Sequence, residues 1–142
     1  MILYLETSHL VKLYVEESGS AKIKKLVAGA EFVTTSIISY VEARAAFSRK
    51  FREKGLNERE YETIKADLEE DWEHFFVLHA TMDVAREAGR LAEKHGLRGF
   101  DALHLASAMS LGPGKDDQIS INFSSSDKTL KDAAKNEGLN IS

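Results

Sequence analysis

The chain has 142 residues, 43% of them hydrophobic and 30% charged, with a formal net charge of −4. Those proportions exclude a disordered chain and fit one globular domain, residues 1–142, long enough to bury a core. The acidic balance argues against a general nucleic-acid coat protein, though not against an enzyme that grips nucleic acid locally.

There are no cysteines, so disulfides and thiolate metal sites are out. Any metal must be held by oxygen or imidazole ligands, and a carboxylate-rich set favours Mg²⁺ or Mn²⁺. No apolar run approaches the ~18 residues of a membrane helix. Met1-Ile2-Leu3-Tyr4-Leu5 is too short and lacks the basic front of a signal peptide. The expectation is a cytoplasmic protein without a membrane partner.

Ile2 to Leu5 is a short apolar run without alternation, the pattern of a buried parallel strand, and it stops at Glu6. Thr7 or Ser8 can cap a helix whose apolar face is Leu10, Val11, Leu13 and Tyr14, fading by Glu16-Glu17. Ser18-Gly19-Ser20 is a turn, and Ile23, Leu26 and Val27 line a second helix that ends at Gly29. Phe32 to Thr35 reads as a second strand. Ser36 or Ser39 then opens a long helix through Lys54, with Val41, Ala45 and Phe47 inward and Arg44, Arg49, Lys50, Arg52 and Lys54 basic. Gly55 stops it, and Asn57 caps a charged, solvated helix toward Trp72.

Phe75 to His79 is a third strand. Thr81 or Asp83 starts a helix with Val84, Ala88, Leu91 and Ala92 inward, ended by Gly96. Gly99 to about Leu111 is a nearly uncharged helix with Asp101 in its first turn. The stretch 111–117 is a loop carrying the only proline. Ile119 to Phe123 is a fourth strand. Ser124-Ser125-Ser126-Asp127 leads into a helix with Leu130, Ala133 and Ala134 apolar, and Leu139-Asn140-Ile141 forms a short last strand. Strands alternating with helices imply a three-layer α/β/α sandwich around a parallel sheet of four or five strands. Ligands collect beyond the carboxyl ends of such strands, where Glu6, Ser125 and Asp127 fall.

Four carboxylates stand apart from the solvated ones. Glu6 ends a buried strand, Glu42 lies one turn into a helix between apolar neighbours, Asp101 opens an uncharged helix, and Asp127 follows a strand and three serines. Burying an unpaired carboxylate costs several kcal/mol or forces it to take a proton. A shared divalent cation relieves that cost and can activate water for phosphodiester hydrolysis. Each acid also has a local explanation: Glu6 closing a strand, Asp101 and Asp127 favouring a helix dipole, Glu42 pairing with an arginine. The spacing alone does not choose between these.

Four segments carry a family resemblance. They are Tyr4-Leu5-Glu6-Thr7-Ser8-His9-Leu10-Val11-Lys12-Leu13-Tyr14; Ser39-Tyr40-Val41-Glu42-Ala43-Arg44-Ala45-Ala46; Phe100-Asp101-Ala102-Leu103-His104-Leu105-Ala106; and Phe123-Ser124-Ser125-Ser126-Asp127, with Leu130 and the closing Glu137-Gly138-Leu139. In this order they resemble PIN-domain proteins, and specifically the VapC toxins of bacterial and archaeal toxin–antitoxin pairs.

The resemblance implies a PIN-like fold and a metal-dependent endoribonuclease acting on single-stranded RNA. Its four acids are Glu6, Glu42, Asp101 and Asp127. Glu6, Asp101 and Asp127 are implied to hold Mg²⁺ or Mn²⁺, with Glu42 helping through a water or as a base. Ser8 and Ser125 fall at supporting hydroxyl positions. A homodimer and a cognate antitoxin, reaching into the acidic groove with an arginine, are also implied. The family's first acid is typically aspartate, and glutamate adds a methylene, about 1.5 Å of reach. That departure keeps a second class in view, a PIN-fold binding module with attenuated catalysis.

Among other residues, Lys12, Arg44, Arg49, Lys50 and Lys128 lie near the acids, with Lys50 and those beyond it read as a solvated face. Arg44, two residues from Glu42 on a helix, points away from it and toward a partner chain. His104 reads as a satisfied core histidine, and the other four histidines show no metal spacing. The Tyr61–Trp72 region reads as packing or an interface.

Overall fold

The computed structural model describes residues 1–112 and 120–142. The proline-bearing part of the loop and the expected start of the fourth strand at Ile119 lie outside them. The order is β1 (Ile2–Leu5), α1 (Thr7–Val11), α2 (Ser20–Gly29), β2 (Phe32–Ser36), α3 (Ile38–Arg52), α4 (Glu58–Trp72), β3 (Phe76–Leu78), α5 (Met82–His95), α6 (Gly99–Met109), β4 (Ile121–Ser124), α7 (Lys128–Asn136) and β5 (Asn140–Ile141). Among these residues no helix is long and apolar enough to cross a membrane.

The five strands form one sheet in the order β3-β2-β1-β4-β5, and every pairing is parallel. The central strand β1 explains the three layers. Its side chains alternate across the sheet, yet all are apolar, so both faces must be covered. Leu3 and Leu5 enter a core with Leu10, Ile23, Phe47 and Leu68 from α1 to α4. Tyr4 enters the opposite core with Leu91, Leu105, Phe123 and Leu130. The three-layer parallel sandwich expected from the sequence is therefore present.

Helix ends follow local chemistry. Asn57 and Glu60 form a reciprocal capping box on α4, and Thr81 caps α5 through Val84 N. Gly96 ends α5 in the left-handed region, φ 64°, which a residue without Cβ adopts freely. The first helix is shorter than its apolar spacing predicts. After Val11 the chain tightens into i→i+3 bonds, Leu13 N to Leu10 O and Tyr14 N to Val11 O.

On α3 the inward face differs from the expectation. Ser39, Ala43 and Phe47 are buried at four-residue spacing, while Val41 is 68% exposed and Ala45 is also exposed. A helix turns roughly 200° in two residues, so these face away from the buried stripe. The expectation for Phe47 holds. The Tyr61–Trp72 region packs as expected: Tyr61 stacks on Phe51, and Trp72 meets Tyr40 and Phe75 edge-on.

Strand order reverses at β1, with β2 on one side and β4 on the other. The crevice beyond the carboxyl ends of β1 and β4 is the topological switch point, where open parallel sheets place ligands. Glu6 directly follows β1, and Ser125 to Asp127 follow β4.

Candidate active site

Glu6 leaves β1 and is nearly buried, 7% exposed, because its backbone N–H still pairs with Ser124 O across the sheet at 2.9 Å. Its Oε2 gathers three donors: Ser8 N at 3.2 Å, Ser8 Oγ at 2.5 Å and Ser125 Oγ at 2.8 Å. The first of these makes Glu6 the cap of α1. Thr7 and Ser8, the caps suggested by the sequence, lie inside the helix instead. Charge-assisted bonds of this kind stabilise a buried carboxylate without a cation beside it. Among the described residues no hydrogen bond engages Glu6 Oε1.

Glu42 sits on α3 facing α1 and α6. Its Oε1 accepts from Thr7 Oγ1 and His104 Nε2, both at 2.7 Å. Partial burial pushes its carboxyl up, but the His104 and Thr7 bonds outweigh that and hold it below the ordinary glutamate value. Glu42 therefore remains ionised. Its partner is a histidine, not the arginine that one local explanation supposed.

Asp101 lies in the first turn of α6, and no side chain caps that helix. Its one side-chain hydrogen bond among the described residues is with Arg98, whose Nε donates to Oδ2 at 3.2 Å. Asp127 caps α7 by accepting from Leu130 N at 2.8 Å through Oδ1. Its Oδ2 is 3.9 Å from Arg98. Asp127 thus fills the helix-end role that its position suggested and still offers a second oxygen. Asp101 caps nothing. The Arg98 side chain is 85% exposed, so its pairs with the two aspartates are weak and exchangeable.

Glu6, Ser8, Glu42 and Asp101 line one groove of about 600 Å³, together with Thr7, Arg98 and the cations Lys12, Arg49 and Lys50. Asp127 lines a smaller neighbouring pocket with Asp101 and Arg98. Ser125 is fully buried behind Glu6 and holds it from the β4 side. The six residues singled out in the sequence are therefore brought to one region.

The basic residues divide. Lys50, read as a solvated face, lines the groove, because eight residues is about two turns and α3 brings Lys50 round to the side of Glu42. Within its own chain Arg44 meets Tyr40 and α4. Its guanidinium donates to Tyr40 Oη at 2.7 Å and lies 3.8 Å from Glu69 on α4 of the same chain. Lys128 pairs with Asp132 one turn along α7.

Three participants escaped the sequence reading. Thr7 adjoins Glu6, Arg98 precedes Asp101 by three residues, and His104 follows it by three. His104 is fully buried as expected, but one of its partners is a site carboxylate. The i, i+3 spacing from Asp101 was the available signal.

The donor set is all oxygen, which fits a hard divalent cation. Among the described residues no three acidic or imidazole groups stand close enough to ligate one ion together. That arrangement suits an ion held by one or two carboxylates with water completing its shell, as Mg²⁺ prefers.

A family model described as the PIN domain matches residues 3–135. The chain belongs to the PIN-domain family. This PIN-domain chain is 40% identical over 118 residues to Ribonuclease VapC45 of Mycobacterium tuberculosis, covering 80% of this chain and 79% of the relative. Its fold is shared by the M. tuberculosis toxin VapC20, described as cleaving the sarcin–ricin loop, with a TM-score of 0.67, 19% identity and coverage of 98% and 96%. It is also shared by a toxin–antitoxin complex from Klebsiella pneumoniae, with a TM-score of 0.58, 16% identity and coverage of 86% and 84%.

Proposed function

We propose that the chain, acting as a single PIN unit in the cytoplasm, is an endoribonuclease for single-stranded RNA and the toxin of a toxin–antitoxin pair. The observation that carries this reading is the gathering of Glu6, Glu42 and Asp101 on one groove, with Asp127 beside it. The ribonuclease name of a relative at 40% identity supports it and favours an enzyme over a binding module.

Glu6, Asp101 and Asp127 would hold Mg²⁺ or Mn²⁺, one or two of them directly and the rest through water, since among the described residues no three such groups stand close enough to ligate one ion together. Such an ion, when bound, offsets charge on the scissile phosphate and makes a water more acidic. Arg49 and Lys50 line the same groove and attract the flanking phosphates, while Lys12 is paired with Glu17 at 3.1 Å. Glu42 is kept ionised, so its carboxylate can accept a proton from the attacking water. Ser8 and Ser125 keep the Glu6 carboxylate in one orientation, so its remaining oxygen is presented rather than free to rotate away.

An antitoxin is the proposed partner. Arg98 already shows that a guanidinium can settle between Asp101 and Asp127, which is the chemistry an inserted arginine would use. A second copy of the chain is proposed to cover Ile37, Val41 and Phe100, which are 40%, 68% and 63% exposed, the last two directly preceding Glu42 and Asp101 in the sequence.

The test incubates the protein with end-labelled single-stranded RNA, duplex RNA and single-stranded DNA, in Mg²⁺, Mn²⁺ or EDTA. Cleavage of single-stranded RNA alone, abolished by EDTA and by Asp101→Asn, is expected. Intact RNA in both metals, or full activity in Asp101→Asn, would overturn the reading.

A further inference from the structure

His104 sits at the centre of a buried chain of hydrogen bonds that the four-acid description does not use. Tyr4 Oη lies 2.8 Å from His104 Nδ1, and His104 Nε2 lies 2.7 Å from Glu42 Oε1. Thr7 Oγ1 is 3.2 Å from the same Nε2 and donates to the same carboxylate oxygen. Tyr4 and His104 are both fully buried. The chain joins β1, α1, α3 and α6, the elements that carry or directly precede Glu6, Glu42 and Asp101.

The proton positions follow from the chemistry. A carboxylate only accepts, so Nε2 must carry the hydrogen that reaches Glu42. In the Nε2–H tautomer Nδ1 is an acceptor, and the Tyr4 phenol donates to it. A tyrosine phenol carries its proton at neutral pH, so Tyr4 is able to donate. Tyr4 thus selects one tautomer of His104, and that tautomer pins Oε1 of Glu42. The second Glu42 oxygen is left for the groove. Glutamate is among the side chains with most rotamer freedom to lose, so a fixed partner at this depth has a clear effect on where its free oxygen points.

We propose that His104, set in its Nε2–H form by Tyr4, is a positioning residue that orients Glu42 for the cleavage reaction. The proposal rests on the ribonuclease reading above. A merely structural His104 would serve equally well with any group filling the same space.

Two substitutions separate these roles. The amide nitrogen of His104→Gln occupies the place of Nε2 and can still donate to Glu42. The amide of His104→Asn reaches only the place of Nδ1, near Tyr4. Cleavage of a fluorophore–quencher RNA oligonucleotide with Mn²⁺ is measured alongside thermal melts. We expect kcat to fall about tenfold or more in His104→Asn with KM nearly unchanged, and to stay within about threefold of the parent in His104→Gln. Tyr4→Phe should fall between them.

A second readout needs no activity. Long-range ¹H–¹⁵N spectra report the tautomer of each of the five histidines, with His104 assigned by its loss in His104→Gln. The Nε2–H form is expected in the parent and a mixed form in Tyr4→Phe. Equal kcat in His104→Gln and His104→Asn, or an Nδ1–H tautomer in the parent, overturns the proposal. If Glu42→Gln and Asp101→Asn both cut RNA normally, the ribonuclease site itself is wrong, whatever the tautomer.

Discussion

Replacing Glu6 by aspartate tests whether the longer acid is a defect or a fitted part. The carboxylate would retreat by about 1.5 Å. The 2.8 Å bond from Ser125 would then stretch to roughly 4.3 Å if nothing else moved, beyond hydrogen-bonding range. Ser125 is fully buried, so its proton would lose its acceptor without gaining water. Such a loss costs about 1–3 kcal/mol. The bonds to Ser8 would survive, since aspartate is itself a favoured helix cap.

The net expectation is a loss of about 1–2 kcal/mol, or roughly 3–8 °C in melting temperature for a chain of this size. Cleavage should fall rather than rise, because the oxygen presented to the groove moves with the carboxylate. Urea melts of Glu6→Asp, Ser125→Ala and the double variant give the assay. The two single changes remove the same bond, so their effects should overlap by about 1 kcal/mol. A Glu6→Asp protein that is as stable as its parent and cuts faster would refute the reasoning. It would mean that the natural glutamate attenuates the site.

Asp101→Asn should cut RNA roughly 10²-fold more slowly or worse, since several kcal/mol of charge stabilisation depends on it. Its melting temperature should barely change, because its partner Arg98 is 85% exposed. Arg98→Gln should bind Mn²⁺ about two- to fivefold more tightly by titration calorimetry, the guanidinium no longer competing for Asp101 and Asp127; weaker binding would show that Arg98 organises the acids instead. Burial, aided by Lys12, lowers the His9 pKa from 6.5 to about 4, while its Nδ1 pairs with Ser124 Oγ at 2.7 Å. Between those values the unfolded chain takes up a proton that the folded chain refuses, so stability falls as pH drops from 6.5 toward 4. From pH 7 to pH 5 the loss is about 2 kcal/mol. His9→Asn, which keeps a polar group near Ser124 but does not titrate, should remove most of that slope.

The alternation of elements was readable because each strand is bounded by residues with a local reason to stop it. Asn57, Thr81 and Asp127 act through their own hydrogen bonds to nearby backbone, so a sequence displays them directly, whereas Glu6 took the capping place that Thr7 or Ser8 was expected to fill. The burial of Val41 was misjudged for the opposite reason. An apolar residue says it tolerates burial, not that a neighbour exists to bury it. On α3 the stripe that meets the sheet contains Ser39 and Ala43, whose small size allows close packing, while Val41 is left outside.

The site shows the same division between near and distant causes. Acids at the ends of β1 and β4 were visible because strand ends are where such a sheet opens. What holds those acids was not visible. Ser125 reaches Glu6 across 119 residues, and His104 reaches Glu42 across 62. Such pairs exist only after β1, β4, α3 and α6 have packed, and no periodicity marks them. This also explains why Asp101 differs from the other acids. Glu6, Glu42 and Asp127 each have an oxygen committed to a donor that fixes the side chain. Asp101 has only an exposed arginine, an interaction that solvent and salt weaken. A carboxylate so lightly held, at the head of an uncharged helix and on the same groove as Glu6 and Glu42, is the one most readily transferred to an incoming cation. Mutating it should therefore affect chemistry far more than folding, whereas changes at Glu6 or Glu42 will always mix the two.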